Sequence, residues 1–216
     1  MFTDITRAAS LWEFSPNAMR DATLLHNQLL RSLLTEHRGY EVIFAKDRNT
    51  GEGSFCIAFH TPAEALDWCT AVQQGLLQVE WPSELLNHPG AAEEWADVGD
   101  KVLYKGLRVR MGVHLGKPHK TRDPMTRRVE YYGPVVNTAA RITSLTHGGQ
   151  VIFSHTVWHR LNADAAALVK EEHRVLSLGK FDMPDAPRGA KLYELKIKNL
   201  EGRFFGGVST GAGDVS

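Results

Sequence analysis

No stretch of this 216-residue chain approaches the run of about 18 apolar residues that a membrane-spanning helix needs. The N-terminus lacks the charged, then apolar, then small-residue order of a secretory signal. Net charge is absent as well. Lys plus Arg is 25 and Asp plus Glu is 25, which removes the bulk electrostatic case for nucleic acid or an anionic membrane surface. Local phosphate binding stays open, because a few arginines suffice for it. The ten histidines show no metal-ligand spacing, and there are no internal repeats. Cysteine is scarce: Cys56 and Cys69 each sit in an apolar stretch and are expected as buried, reduced thiols. These absences predict a cytoplasmic domain with no membrane contact from this segment. They are compatible with the cytosolic part of a larger membrane or sensor protein.

What is present is the composition of an ordinary globular domain, 43% hydrophobic and 23% charged. Phe2-Thr-Asp-Ile5 has the character of a strand end, short enough to suggest a first strand cut back. Ser15-Pro16 opens a helix, and apolar residues at Ala22, Leu25, Leu29, Leu30, Leu33 and Leu34 give it one buried face. Tyr40–Phe44 and Ser54–Phe59 form a hairpin, and Thr61-Pro62 starts a helix to about Gln78. Residues 80–101 are acidic and Pro/Gly-broken, a surface excursion with a short helix expected at Ala91–Ala96. Leu107–His114 alternates as a strand. A helix follows Gly133-Pro134, then a strand at Gln150–Phe153, a helix from Thr156 to Leu168, and strands at Arg174–Leu178 and Leu192–Ile197. The mixture predicts an α+β fold, helices on a mostly antiparallel sheet. Residues 1–200 form one domain in this reading, and 201–216 form a Gly/Ser-rich tail expected to be disordered.

Three elements carry candidate chemistry. Asp4 ends the first strand, where a carboxylate can hold Mg²⁺ among waters, although a lone Asp there is more often a turn residue. Asn137 and Arg141 lie four apart on one helix face, with small residues between them. Arg can clamp a phosphoryl oxygen and Asn can orient a sugar hydroxyl, while the bland alternative is a solvated helix face. Arg108 and Arg110 share one face of a strand in which Gly112, and Gly116 beyond it, allow close backbone approach.

The order of these elements resembles the class III adenylyl and guanylyl cyclases. The resemblance rests on Phe2-Thr-Asp-Ile5, Gly39-Tyr-Glu-Val42, Gly106-Leu-Arg-Val-Arg-Met-Gly-Val-His114, Glu130-Tyr-Tyr-Gly-Pro-Val-Val-Asn-Thr-Ala-Ala-Arg141 and Gly148-Gly-Gln-Val151. Asp123-Pro-Met-Thr126 resembles the fungal, trypanosomal and algal branches. The resemblance implies a ferredoxin-like palm that works as a head-to-tail dimer, homodimer or heterodimer, with sites at the interface. It implies attack of a ribose 3′-oxygen on the α-phosphorus of ATP, or less readily GTP, in cyclic-nucleotide signalling. Two Mg²⁺ or Mn²⁺ ions are implied as cofactors.

Residue by residue, the resemblance gives Asp4 and the Ile5 carbonyl to metal, and Arg110 to the terminal phosphate. It gives Asn137 to the ribose, Arg141 to charge at the α-phosphate and Glu130 to the adenine amine. Departures cluster in the metal half. The tip Thr50-Gly-Glu-Gly-Ser-Phe55 has Gly53 where the second metal Asp belongs, or has lost that position, and Glu52 is the nearest carboxylate. Lys46 is the remaining candidate for a base-reading lysine. Pro184 stands where a phosphate lysine belongs, with Lys180 or Arg188 as shifted substitutes. The alternatives to an active cyclase are a cyclase-homology domain with a dimerising, regulatory or half-site role, and a diguanylate cyclase, whose Gly-Gly-acidic-acidic-Phe signature is absent.

Overall fold

A computed structural model describes residues 1–42, 53–163, 174–183 and 188–206. The chain opens on β1 (Phe2–Ile5), followed by α1 (Ala8–Phe14) and α2 (Pro16–Glu36). The Ser15 hydroxyl accepts from the Ala18 N–H at 3.4 Å, and Pro16 fills the first helical position, as expected. The hairpin strands are β2 (Tyr40–Val42) and β3 (Phe55–Ala58). A reciprocal cap starts α3 (Pro62–Gly75): Thr61 Oγ1 accepts from the Glu64 N–H at 3.2 Å, and the Glu64 carboxylate accepts from the Thr61 N–H at 3.1 Å. A single 3₁₀ turn, Leu76–Gln78, ends this segment.

Residues 80–101 differ from expectation. No helix forms at 91–96. Glu94–Trp95 is instead a two-residue strand, β4, paired with β5 (Val102–Tyr104). The segment is also anchored rather than superficial, because Trp81, Leu85 and Ala91 are buried. Three apolar side chains without helical period still find the core, and their burial fixes the path.

The rest follows as β6 (Val109–Val113), β7 (His119–Arg122), β8 (Val129–Tyr132), α4 (Pro134–Ser144), β9 (Val151–Ser154), α5 (His155–Ala163), β10 (Arg174–Phe181) and β11 (Ala190–Lys196). The main sheet runs β10-β11-β9-β6-β1-β3-β2, and every pairing is antiparallel except β6 with β9. β7 and β8 form a separate hairpin. This is the expected α+β architecture.

The sheet buries two faces. On β9, Phe153 enters the large cluster that includes α2, α3 and α5, while its neighbour Ile152 enters a smaller cluster with Ile142 of α4. Gly112 lets α4 lie against β6: a Cβ there would sit 2.2 Å from Thr143 Oγ1 and 2.5 Å from the Thr143 nitrogen.

The first residues of the expected tail, 201–206, are described and pack on the domain. Arg203 is 5% exposed, and its guanidinium donates to the Leu103 and Gly149 carbonyls and to Gln73 Oε1. Burial lowers its pKa to about 10. An arginine able to satisfy three acceptors orders residues whose Gly-rich neighbours predict disorder. Residues 207–216 lie outside the described residues. Cys56 and Cys69 are free and buried, as expected. Among the described residues no helix is long and apolar enough to cross a membrane.

Candidate active site

Asp4 and Arg110 are direct partners across β1 and β6. Residues paired this way on one sheet face bring their side chains together. Arg110 Nη2 donates to Asp4 Oδ2 at 2.7 Å, and Nε donates to the same oxygen at 3.3 Å. The other carboxylate oxygen, Oδ1, accepts from the Ser54 hydroxyl at 2.6 Å. Both oxygens are therefore engaged. The Arg110 Nη1 also reaches the Ser144 carbonyl at 3.4 Å, which ties this knot to the end of α4.

The other candidates sit apart from it. Val136, Ala139, Ile142 and Thr143 form the buried face of α4, which leaves Asn137 and Arg141 on its exposed side. Glu130 is exposed on β8, opposite Thr121 of β7. The Tyr40 hydroxyl holds this hairpin to β2: it donates to the Val129 carbonyl at 3.1 Å and accepts the Val129 N–H at 3.0 Å. Arg128 lies over the Tyr40 ring, 5.4 Å from its centroid. Lys180 is exposed on β10, with β11, β9 and β6 between its strand and β1. At about 4.8 Å per strand it stands roughly 19 Å along the sheet from Asp4. Lys46 and Glu52 lie outside the described residues.

A carboxylate bonded to an arginine on a central strand, with an outward Asn/Arg helix face and an exposed hairpin Glu apart from it, is the arrangement on which the comparisons bear. The family model described as the adenylate and guanylate cyclase catalytic domain matches residues 1–196. This chain belongs to that family. It is 42% identical over 208 residues to a putative serine/threonine-protein kinase/receptor of Acanthamoeba polyphaga mimivirus, covering 96% of the chain and 12% of that protein. It is 39% identical over 220 residues to an adenylate cyclase of Neurospora crassa, covering 93% of the chain and 9% of that protein. The cyclase domain thus spans about an eighth or less of these relatives. A solved structure of Trypanosoma brucei adenylate cyclases in their monomeric state superposes with a TM-score of 0.81 at 28% identity, covering 96% of this chain and 90% of that one.

The described residues of this cyclase domain do not fit a two-ion site. Asp4 is already shared between a hydroxyl and a guanidinium. The residue that closes on it from the β3 side is Ser54, not a carboxylate. Gly53 cannot be replaced simply: its φ is +87°, and a Cβ would meet Ile5 Cδ1 at 2.2 Å. Among the described residues no cluster of three His, Cys, Asp or Glu side chains gathers.

Ser54 escaped the sequence reading, because its role depends on which strand end meets Asp4. Arg108 was read with Arg110 as one strand face, but the strand begins at Val109 and Arg108 is a structural residue. Its guanidinium donates to the Gly106 and Ala92 carbonyls at 2.8 and 2.5 Å and to Glu94 at 2.9 Å. Burial pushes its pKa below the ordinary value, against the opposing bond to Glu94. Its position just outside the strand, beside an acidic excursion, was the available signal.

Proposed function

We propose that this cyclase domain converts ATP to cyclic AMP and pyrophosphate at a dimer interface, and that it contributes the nucleotide-orienting half of the site. The observation that carries this is the exposed Asn137–Arg141 face of α4. Both residues lie off the buried face of α4, on the side that a second chain can approach. The ribose 3′-oxygen bonds to the α-phosphorus as the bond to the β-phosphate oxygen breaks. Pyrophosphate leaves with that electron pair, and the 3′-hydroxyl proton passes to solvent. Asn137 orients the ribose, and Arg141 takes the charge that grows on the α-phosphoryl oxygens. Glu130 accepts from the adenine amino group, which favours ATP over GTP, in keeping with the fungal adenylate cyclase likeness.

A half-site role in a heterodimer is favoured by one observation, the Ser54–Asp4–Arg110 knot. A partner with two free carboxylates supplies what the described residues of this chain do not gather. The test is product mass from the chain, alone and mixed with a metal-competent cyclase domain, given ATP or GTP with Mn²⁺. Cyclic AMP above the partner's own output supports the reading. No gain on mixing, from folded protein, rejects it.

A further inference from the structure

α5 lies on the opposite face of the sheet from α4 and its Asn/Arg pair. Val157 of α5 packs in the large cluster with α2 and α3, whereas Ile142 of α4 belongs to the smaller one. Val157 and Leu161 form the buried stripe of α5. His155 and His159 stand one helical turn apart and two residues out of step with that stripe, and both are exposed. A helix starting at Thr156, as the sequence predicts, leaves His155 out. α5 begins at His155 itself, which sets the two histidines at i and i+4 on one helix. Their ring centroids are 6.4 Å apart, with the planes at 59°.

The two rings are held differently. His155 Nδ1 is 3.0 Å from the Tyr193 hydroxyl of β11, and the two rings stack with centroids 5.9 Å apart. Tyr193 is itself clamped, with Phe153 at 5.8 Å and Trp158 at 5.3 Å. A buried side chain thus orients the exposed ring of His155. With Nδ1 engaged, Nε2 is the nitrogen left for a ligand. Among the described residues His159 has no hydrogen bond or ion pair to hold its ring elsewhere.

We infer that His155 and His159 form a surface site for a borderline divalent ion, Zn²⁺, Cu²⁺ or Ni²⁺, bound through two imidazole nitrogens with water completing its shell. Imidazole suits these ions and discriminates against Mg²⁺, which prefers oxygen. Two nitrogens at about 2.1 Å from one tetrahedral ion bring their ring centroids to roughly 5 Å. Closing from 6.4 Å takes a modest rotation of His159, whose ring no bond restrains. An ion on Nε2 of His155 leaves the ring proton on Nδ1, and that N–H donates to the Tyr193 oxygen. A bond through the far nitrogen fixes tautomer and orientation in metal-bound histidines. No third His, Cys, Asp or Glu joins the pair among the described residues, so the ion exchanges with solvent rather than being locked in. The site is independent of Asp4 and of the nucleotide reading.

The test is calorimetric titration of the whole chain with ZnCl₂ in excess Mg²⁺, followed by Cu²⁺ loading read by electron paramagnetic resonance for coordinated nitrogens. A zinc step that Mg²⁺ does not compete away is expected, with a copper spectrum showing two imidazole nitrogens. His155→Gln and His159→Gln should each weaken the zinc step by at least about tenfold. Tyr193→Phe should weaken it by about tenfold while leaving copper its two nitrogens. Moving the second imidazole by one residue, in His159→Gln with Arg160→His, should not restore it, because i and i+5 do not share a face. Melting of each variant without metal is measured alongside, and His159→Gln, at an exposed position, should leave it unchanged. A zinc step that survives either single histidine variant, that Mg²⁺ abolishes, or that the i+5 relocation restores overturns the inference.

Discussion

The two halves of the candidate site differ in how far they are exposed. Asp4, Arg110 and Ser54 satisfy one another within the chain, across β1, β6 and the start of β3. Asn137, Arg141 and Glu130 stand on exposed surfaces of α4 and β8. A self-satisfied carboxylate is a poor ligand for a cation, since binding must first break two charge-assisted bonds. The same fold therefore keeps one half of a family site inward and presents the other.

The comparison breaks most severely if α4 is lifted from the sheet. Gly112→Val puts side-chain carbon where Thr143 already lies. Overpacking against backbone should cost about 3 kcal/mol or more, read as a lost or strongly shifted urea transition. Both halves should fail together, because α4 carries one and its last turn touches Arg110.

Acid should loosen the inward half next. His26 is fully buried in α2, its ring 5.9 Å from Phe55. Burial lowers its pKa from 6.5 to about 4, against a bond to Asn27. The unfolded chain thus binds the proton more readily. The contribution is complete above pH 6.5 and is lost as pH falls from there towards 4, a loss of about 3 kcal/mol. Denaturation at stepped pH should show this slope, and His26→Leu should flatten it.

A smaller change should convert the inward half. Ser54→Asp sets a second carboxylate beside Asp4, where like charges repel. Without divalent ion it should melt lower by about 1 kcal/mol, and Mn²⁺ should raise its melting temperature more than that of the wild type. An unchanged Mn²⁺ response would show that Asp4 is not placed to share an ion. The smallest stability effect belongs to the outward half. Arg141→Ala should move melting by less than about 1 kcal/mol while removing any product gained on mixing.

Much of the fold was legible because its signals are local. Ser15-Pro16, Thr61-Pro62 and Gly133-Pro134 each announce a helix within two residues, and 107–114 alternates openly. α1 gave no such signal: Arg7 offers no side-chain cap, and seven residues held by buried Leu11 show little period. The helix expected at 91–96 lost to a pairing with Val102–Tyr104, a contact that propensity cannot see. In the site, Asp4, Asn137 and Arg141 could be named from motifs. The Asp4–Arg110 bond spans 106 residues and follows from register alone. Ser54 acquires its role only from that same register.

The most direct test of the central claim mixes this chain with a cyclase domain that keeps both metal carboxylates but has lost its own Asn and Arg at the positions of Asn137 and Arg141. Cyclic AMP is then measured by mass. The account predicts product from the mixture, none from either chain alone, and none when this chain carries Arg141→Ala. Full activity from this chain by itself, abolished by Asp4→Ala, would contradict it.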